Sequence, residues 1–185
     1  MARLFIALDL PHSARERLAE ISCGLPGAAW VSPEQIHLTL RFLGEVDAGA
    51  TTDLRQALSG IQTRAFFLSL KGVGLFPLRG DPEVLWAGVA KSDELLRLRH
   101  KIENLLIRQG LPPDARKFYP HVTLAKLRDS RVDWVGSYIA ENSLFSLPAI
   151  PMQTFGLYSS RLTAEGAIHH LEDSYPLHGL LEGED

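Results

Sequence analysis

His37-Leu38-Thr39-Leu40 and His121-Val122-Thr123-Leu124 are two copies of one pattern, histidine, apolar, threonine, apolar, in a chain of 185 residues. In a β-strand successive side chains point to opposite faces. Each copy therefore sets its His and Thr on one face and turns its apolar pair toward a core. The copies lie close to half the chain length apart. Two such strands brought together line a cleft with two imidazoles and two hydroxyls, which is equipment for acid–base chemistry on a phosphate.

Alternation carries outward from each copy. Arg41 joins the face of His37 and Thr39, and a guanidinium beside an imidazole and a hydroxyl suits an oxyanion. Pro120, just before His121, favours extended geometry. Lys126 falls on the opposite face from His121 and Thr123 unless the strand twists or ends there.

Strands and helices alternate along the rest of the chain, with no low-complexity segment or evident interdomain linker. Residues 3–9 read as a strand, and Pro11-His12-Ser13 opens a helix that ends near Cys23-Gly24. Asp47 to Leu58 reads as a second helix stopped by Gly60. Ala65 to Val73 and Val84 to Val89 read as strands around a turn-rich segment from Phe76 to Pro82. Ser92 to Gln109 is the clearest helix, with Ser92 as cap, an apolar stripe of Leu95, Leu96, Leu98, Ile102, Leu105 and Leu106, and Gly110 as the stop. Beyond the second motif come a Pro-bounded segment, Leu144 to Pro151, and strands near 152–159 and 168–175. Leu180 to Asp185 is acidic, and a frayed tail is expected over 178–185. One His-bearing strand in each half suggests an internal duplication related by a pseudo-two-fold.

Composition narrows the function. A formal charge of −3 argues against binding along a nucleic-acid duplex but leaves room for one phosphate-bearing end. The single Cys23 excludes a disulfide framework and a Cys-rich zinc site, as suits a reducing, cytoplasmic setting. No run reaches transmembrane length, and the N-terminus lacks the features of a signal peptide. No phosphate-binding glycine loop, zinc signature or dinucleotide fingerprint is present, so no metal or cofactor is expected.

The stretches Ile36-His37-Leu38-Thr39-Leu40-Arg41-Phe42-Leu43-Gly44-Glu45 and Phe118-Tyr119-Pro120-His121-Val122-Thr123-Leu124-Ala125-Lys126 resemble the paired motifs of the 2H phosphoesterase superfamily. Arg3-Leu4-Phe5-Ile6-Ala7, Trp30-Val31, Gly74-Leu75-Phe76-Pro77, Val84 to Gly88 and Leu157 to Leu162 extend the likeness from residue 3 to about residue 177. Within the superfamily the chain is similar to the bacterial and archaeal RNA 2′,3′-cyclic phosphodiesterases, once called 2′–5′ RNA ligases. The resemblance implies an α+β fold in one bilobal domain over 1–185. Each lobe would be an antiparallel sheet backed by helices, with the two motif strands lining the cleft. It also implies metal-free hydrolysis of a terminal 2′,3′-cyclic phosphate on RNA to a 2′-phosphate.

On that basis His121 is expected to act as general base on water and His37 as general acid for the departing 3′-oxygen. The pseudo-symmetry permits the reverse. Thr39, Thr123 and Arg41 would hold the phosphate, and Phe118 and Tyr119 would stack on a base, with Trp30 and Phe76 as further candidates. Relatives often carry a basic residue where this chain has Tyr119, and Arg116 and Lys117 lie close enough to substitute. The substrates implied are RNA ends bearing a 2′,3′-cyclic phosphate or related small cyclic nucleotides, with no membrane and no obligatory protein partner. RNA end joining by the reverse reaction, and a binding module without turnover, stay open as alternatives. His169 and His170 resemble a metal pair, but adjacent strand residues point to opposite faces and do not readily chelate one ion. His12, His100 and His178 are expected in solvated or capping roles.

Overall fold

A computed structural model describes residues 2–77, 81–163 and 166–179. Its strands are β1 (Ala2–Asp9), β2 (Ala28–Trp30), β3 (His37–Val46), β4 (Phe66–Phe76), β5 (Val84–Val89), β6 (His121–Leu127), β7 (Ser146–Met152), β8 (Thr154–Thr163) and β9 (Gly166–Pro176). Its helices are α1 (His12–Ile21), α2 (Ala48–Ser59), α3 (Asp93–Arg108) and α4 (Val132–Glu141), with a 3-10 turn at Pro33–Gln35. The architecture is α+β, as the sequence implies.

Local chemistry explains the helix bounds. Ser92 caps α3, its hydroxyl accepting the Leu95 N–H at 3.1 Å, and Asp47 caps α2 through the Ala50 N–H at 2.9 Å. Leu95, Leu98, Ile102, Leu105 and Leu106 form the buried stripe of α3, each stabilising the fold by about 1.5–3 kcal/mol relative to exposure. Leu96, expected in that stripe, is 45% exposed, because the spacing of the other five turns it outward. Helix α4 has no counterpart in the sequence-based expectations. Its Val132, Trp134, Val135, Gly136, Tyr138 and Ile139 carry low helix propensity. Packing rescues it: Tyr138 is buried, and its hydroxyl donates to the Ile21 carbonyl at the end of α1.

The strands join in one antiparallel sheet of order β7-β4-β5-β6-β3-β1-β8-β9, with β2 added beside β6. The two expected lobes are thus halves of a single sheet. Read outward from its centre, β6-β5-β4-β7 on one side answers β3-β1-β8-β9 on the other, the order a pseudo-two-fold demands. Among the described residues β3 and β6 pair through one bridge, Leu38 opposite Val122. Beyond it β2 takes over the edge of β6, pairing Ala28, Ala29 and Trp30 with Leu127, Lys126 and Ala125. The Pro-bounded segment becomes β7, tolerable because it is an outer strand. Under the sheet one continuous core draws on both halves, including Leu8, Leu18, Leu38, Leu54, Leu98, Leu124 and Ile150.

The expected tail begins later than residue 178. The His178 N–H donates to Thr63 O at 2.7 Å, and its carbonyl accepts the Ala65 N–H at 2.9 Å. The stretch Leu180 to Asp185 lies outside the described residues.

Candidate active site

His37 and His121 each open a central strand, and they are oriented identically. Nδ1 of His37 faces the Gln35 carbonyl at 2.7 Å, and Nδ1 of His121 faces the Tyr119 carbonyl at 2.7 Å. A carbonyl oxygen only accepts, which assigns the proton to Nδ1 in both rings. Each Nε2 is then left as a lone pair when the ring is neutral and as a donor when it is charged. Continuing the register from the Leu38–Val122 bridge directs Thr39 toward His121 and Thr123 toward His37. The four motif side chains thus face one another in pairs across the sheet centre, all half-buried except for the apolar partners beneath.

The two imidazoles have different walls. The His37 ring lies 5.0 Å from Phe5, 6.3 Å from Tyr158 and, edge to face, 5.1 Å from His169. His121 meets Phe76 edge to face at 4.9 Å and Trp86 at 6.4 Å, and Tyr119 packs on both aromatics at 5.4 and 5.6 Å. Gly74 makes room for this wall, because a Cβ there would collide with the Trp86 indole.

Electrostatics follow from burial. Burial lowers the pKa of His37 below the usual histidine value; the Gln35 carbonyl pulls it back up, and the facing His121 lowers it again. Burial lowers His121 too, with the Tyr119 carbonyl opposing. His169 is held down to about 4 by burial, with His37, Lys126 and His170 adding repulsion. Burial pushes the Tyr158 phenol up to about 12, with Asp9 adding to the rise and Arg15 opposing it.

Arg41 does not join the site. In the β1–β3 register Ile6 pairs with Arg41 and Ala7 with Thr39, so Leu40 is an extra, bulged residue. The bulge restarts the alternation: Leu40 and Arg41 both turn inward, and Phe42 swings out at 53% exposed. Arg41, only 8% exposed, donates to Glu103 at 3.0 Å, to Pro112 O at 2.7 Å and to Phe42 O at 2.7 Å. Arg99 and Asp114 complete this buried charge cluster. Burial opposes ionisation of Glu103, but the Asp114 N–H, Arg99 and Arg41 together hold its carboxyl below the usual range.

Strand β6 carries the same bulge at the same place. Leu85 pairs with Ala125 and Trp86 with Thr123, leaving Leu124 extra. Alternation restarted there returns Lys126 to the face of His121 and Thr123, where it is exposed and its charge reaches His169. Lys126 therefore stands on the cleft face and Arg41 does not, the reverse of what unbroken alternation implies.

Phe118 is also displaced. It packs against the core with the Arg99 guanidinium 5.3 Å over its ring, on the side of the buried charge cluster. Trp30 packs on Tyr138 beneath the sheet. Tyr119 and Phe76 do stand beside His121. Phe5, Tyr158 and His169 join the site without a sequence signal for that role: the first two lie within the motif stretches, and the pattern around His169 suggests only a metal pair. His12 pairs with Glu16 at the surface, 3.1 Å away.

Comparisons with known proteins agree with this arrangement. The family model described as LigT like Phosphoesterase matches residues 8–86 and again 88–169, one copy per half of the chain. A protein of Archaeoglobus fulgidus named RNA 2′,3′-cyclic phosphodiesterase is 34% identical over 171 residues, spanning 90% of this chain and 96% of the relative. A Thermus thermophilus protein of the same name is also 34% identical, over 96% of this chain and 91% of its own. Among solved structures, Escherichia coli LigT complexed with 3′-AMP superposes with a TM-score of 0.75 at 26% identity, covering 96% of this chain and 99% of that one. TT0787 of Thermus thermophilus gives 0.77 at 26% identity over 96% and 98%.

Proposed function

The chain belongs to the LigT-like phosphoesterases, and from that premise we propose that it hydrolyses the terminal 2′,3′-cyclic phosphate of RNA to a 2′-phosphate. The observation that carries this reading is the matched anchoring of two imidazoles by their Nδ1 atoms, each leaving its Nε2 for chemistry. Relatives of nearly full-length overlap carry the name of that activity, and the E. coli neighbour holds a ribonucleoside monophosphate.

The reaction needs one proton removed and one delivered. Nε2 of neutral His121 takes a proton from water as its oxygen bonds to phosphorus. The P–O3′ bond breaks, and Nε2–H of protonated His37 supplies the proton to O3′. Thr39, Thr123 and Lys126 donate to the non-bridging oxygens, whose charge grows in the transition state. Each histidine ends in the other's starting state, and exchange with solvent resets the pair. Both rings sit below their usual pKa in the free protein. Arrival of the anionic diester favours the charged imidazole, so substrate binding itself helps load the acid. We place the enzyme in the cytoplasm, where the exposed thiol of Cys23 would stay reduced. Among the described residues no helix is long and apolar enough to cross a membrane.

The test is to incubate the protein with a short RNA ending in a 2′,3′-cyclic phosphate, in EDTA, and to identify the terminal phosphate formed. A 2′-phosphate is expected, with turnover reduced at least about a hundredfold in His37→Ala and in His121→Ala. A 3′-phosphate would reverse which ester oxygen leaves, and full activity in either variant would overturn the two-histidine scheme.

A further inference from the structure

One contact in the cleft joins parts of the chain that the sheet register holds apart. His169 pairs with Ser160, which pairs with Arg3 near the start of β1, whereas His37 pairs with Asp9 at its end. Along a flat strand those levels are about 20 Å apart. Yet the His169 and His37 rings meet edge to face at 5.1 Å, and both lie on Phe5, at 4.9 and 5.0 Å. The sheet therefore curls strongly enough to fold the β8–β9 hairpin over the His37 end of the cleft.

Gln35 fastens it there. The His169 N–H donates to Gln35 Oε1 at 2.7 Å, and Gln35 Nε2 donates to His169 O at 3.4 Å. Both ends of one side-chain amide are thus occupied by the backbone of one residue. The same Gln35 supplies, through its own carbonyl, the acceptor for Nδ1 of His37. We propose that Gln35 and His169 are positioning residues for His37, a clasp that uses the β8–β9 hairpin to hold the imidazole with Nε2 presented to substrate.

Three features make this more than packing. A glutamine held at both amide atoms does not swing, so its peptide carbonyl stays against Nδ1, as outer partners fix ligating histidines. The His169 edge blocks rotation of the His37 ring. Among the described residues Nδ1 of His169 is buried without a partner, and a bare lone pair there costs less than a stranded N–H, so the ring carries its proton on Nε2 and packs as a neutral edge. Among the described residues His121 has no such device. Its acceptor belongs to Tyr119, whose side chain is 48% exposed and caged by Phe76 and Trp86 rather than clasped by a hairpin.

The activity arm of the test rests on the proposed phosphodiesterase reading; the spectroscopic arm does not. Imidazole 15N spectra of the intact protein should show His37 and His121 as Nδ1–H tautomers. In Gln35→Leu the His37 signals should lose that bias, while those of His121 hold. The groups facing His37 are His121 and His169, with Asp9 beside it in the sheet and Lys126 and His170 acting on His169. On the cyclic-phosphate RNA, kcat should fall about tenfold with KM within about threefold, the mark of lost alignment rather than lost binding. His169→Gly should match it, and His169→Phe should recover most of the loss by restoring the edge. If Gln35→Leu does not fold, Gln35→Glu, which keeps the acceptor for the 2.7 Å bond and loses the donor, should give the intermediate result. Unchanged His37 signals and kcat in the variants would overturn the clasp, as would equal disturbance of His121. A parent protein inactive on the RNA would overturn the functional reading alone, leaving the spectra to decide the clasp.

Discussion

The two histidines are chemically alike and differ in setting, and that difference governs how activity should respond to pH. Burial lowers both rings in the free protein, His37 also feeling His121. A productive enzyme needs one ring neutral and one charged. The population holding one proton between them peaks between two values that both lie below the usual ~6.5. The profile of kcat/KM, which reports the free protein, is therefore expected to be a bell centred below about pH 6.5. The kcat profile should be displaced to higher pH, because bound phosphodiester stabilises the imidazolium. Steady-state kinetics from pH 4.5 to 9 would check both, and coincident profiles would remove the substrate's part in loading the acid. Thr39→Val and Thr123→Val should each lower kcat/KM by about tenfold, the worth of one hydrogen bond to a charged group. At this scale the sequence was highly legible, because a spacing of two residues is enough to pair a His and a Thr on one strand face. His169 was not legible. Its place beside His37 depends on the curl of the sheet, which no local pattern encodes.

At the scale of single elements, the bulges at Leu40 and Leu124 decide which of Arg41 and Lys126 faces the cleft. Neither bulge is marked by a glycine or proline, so alternation read through them sent Arg41 outward and Lys126 inward, and the protein does the opposite. The sites can be separated by experiment. Arg41→Ala strips one partner from a buried charge cluster and should lower unfolding free energy by about 3–5 kcal/mol, with kcat/KM of the folded fraction within about tenfold of the parent. Lys126→Ala should leave denaturant midpoints nearly unchanged and raise KM about ten- to hundredfold, the loss of one charge-assisted contact. Urea unfolding and steady-state kinetics on the same preparations would show the crossed pattern. A stability loss in Lys126→Ala and a KM defect in Arg41→Ala would return Arg41 to the site. Helix α4 teaches the same lesson from another side: its residues read poorly as a helix, and only the packing of Tyr138 on α1 makes it one.

At the scale of the whole molecule, the two halves of the sheet converge on one bridge, and the site inherits desolvated histidines from that convergence. Placing them in the sheet centre has a stability consequence whose sign can be worked out. His37, His121 and His169 all titrate in the folded protein below the ~6.5 of an unfolded chain, His169 at about 4. Between those limits the unfolded chain binds more protons than the folded one, so stability rises with pH and is lost on acidification from about pH 6.5 toward 4. Glu103 and Asp114 are lowered as well, burial being outweighed by hydrogen bonds and by Arg41 with Arg99 or Arg116. Their contribution is full above the usual carboxylate values and drains away as pH falls through the folded ones, extending the loss below about pH 4.5. Denaturant midpoints should therefore fall steadily from pH 7 to pH 4, with histidine setting the upper part of the slope and the paired carboxylates the lower. Replacing His169 by Phe removes one of the three titrating rings and should flatten the upper part while leaving the lower intact. Saturating phosphate should raise the midpoint more at pH 5.5 than at pH 7.5, since the anion binds the charged form of the pair. A midpoint constant between pH 7 and 5 would mean that the imidazoles are not desolvated by the sheet as described, and the acid limb of the activity profile would then have to come from another group.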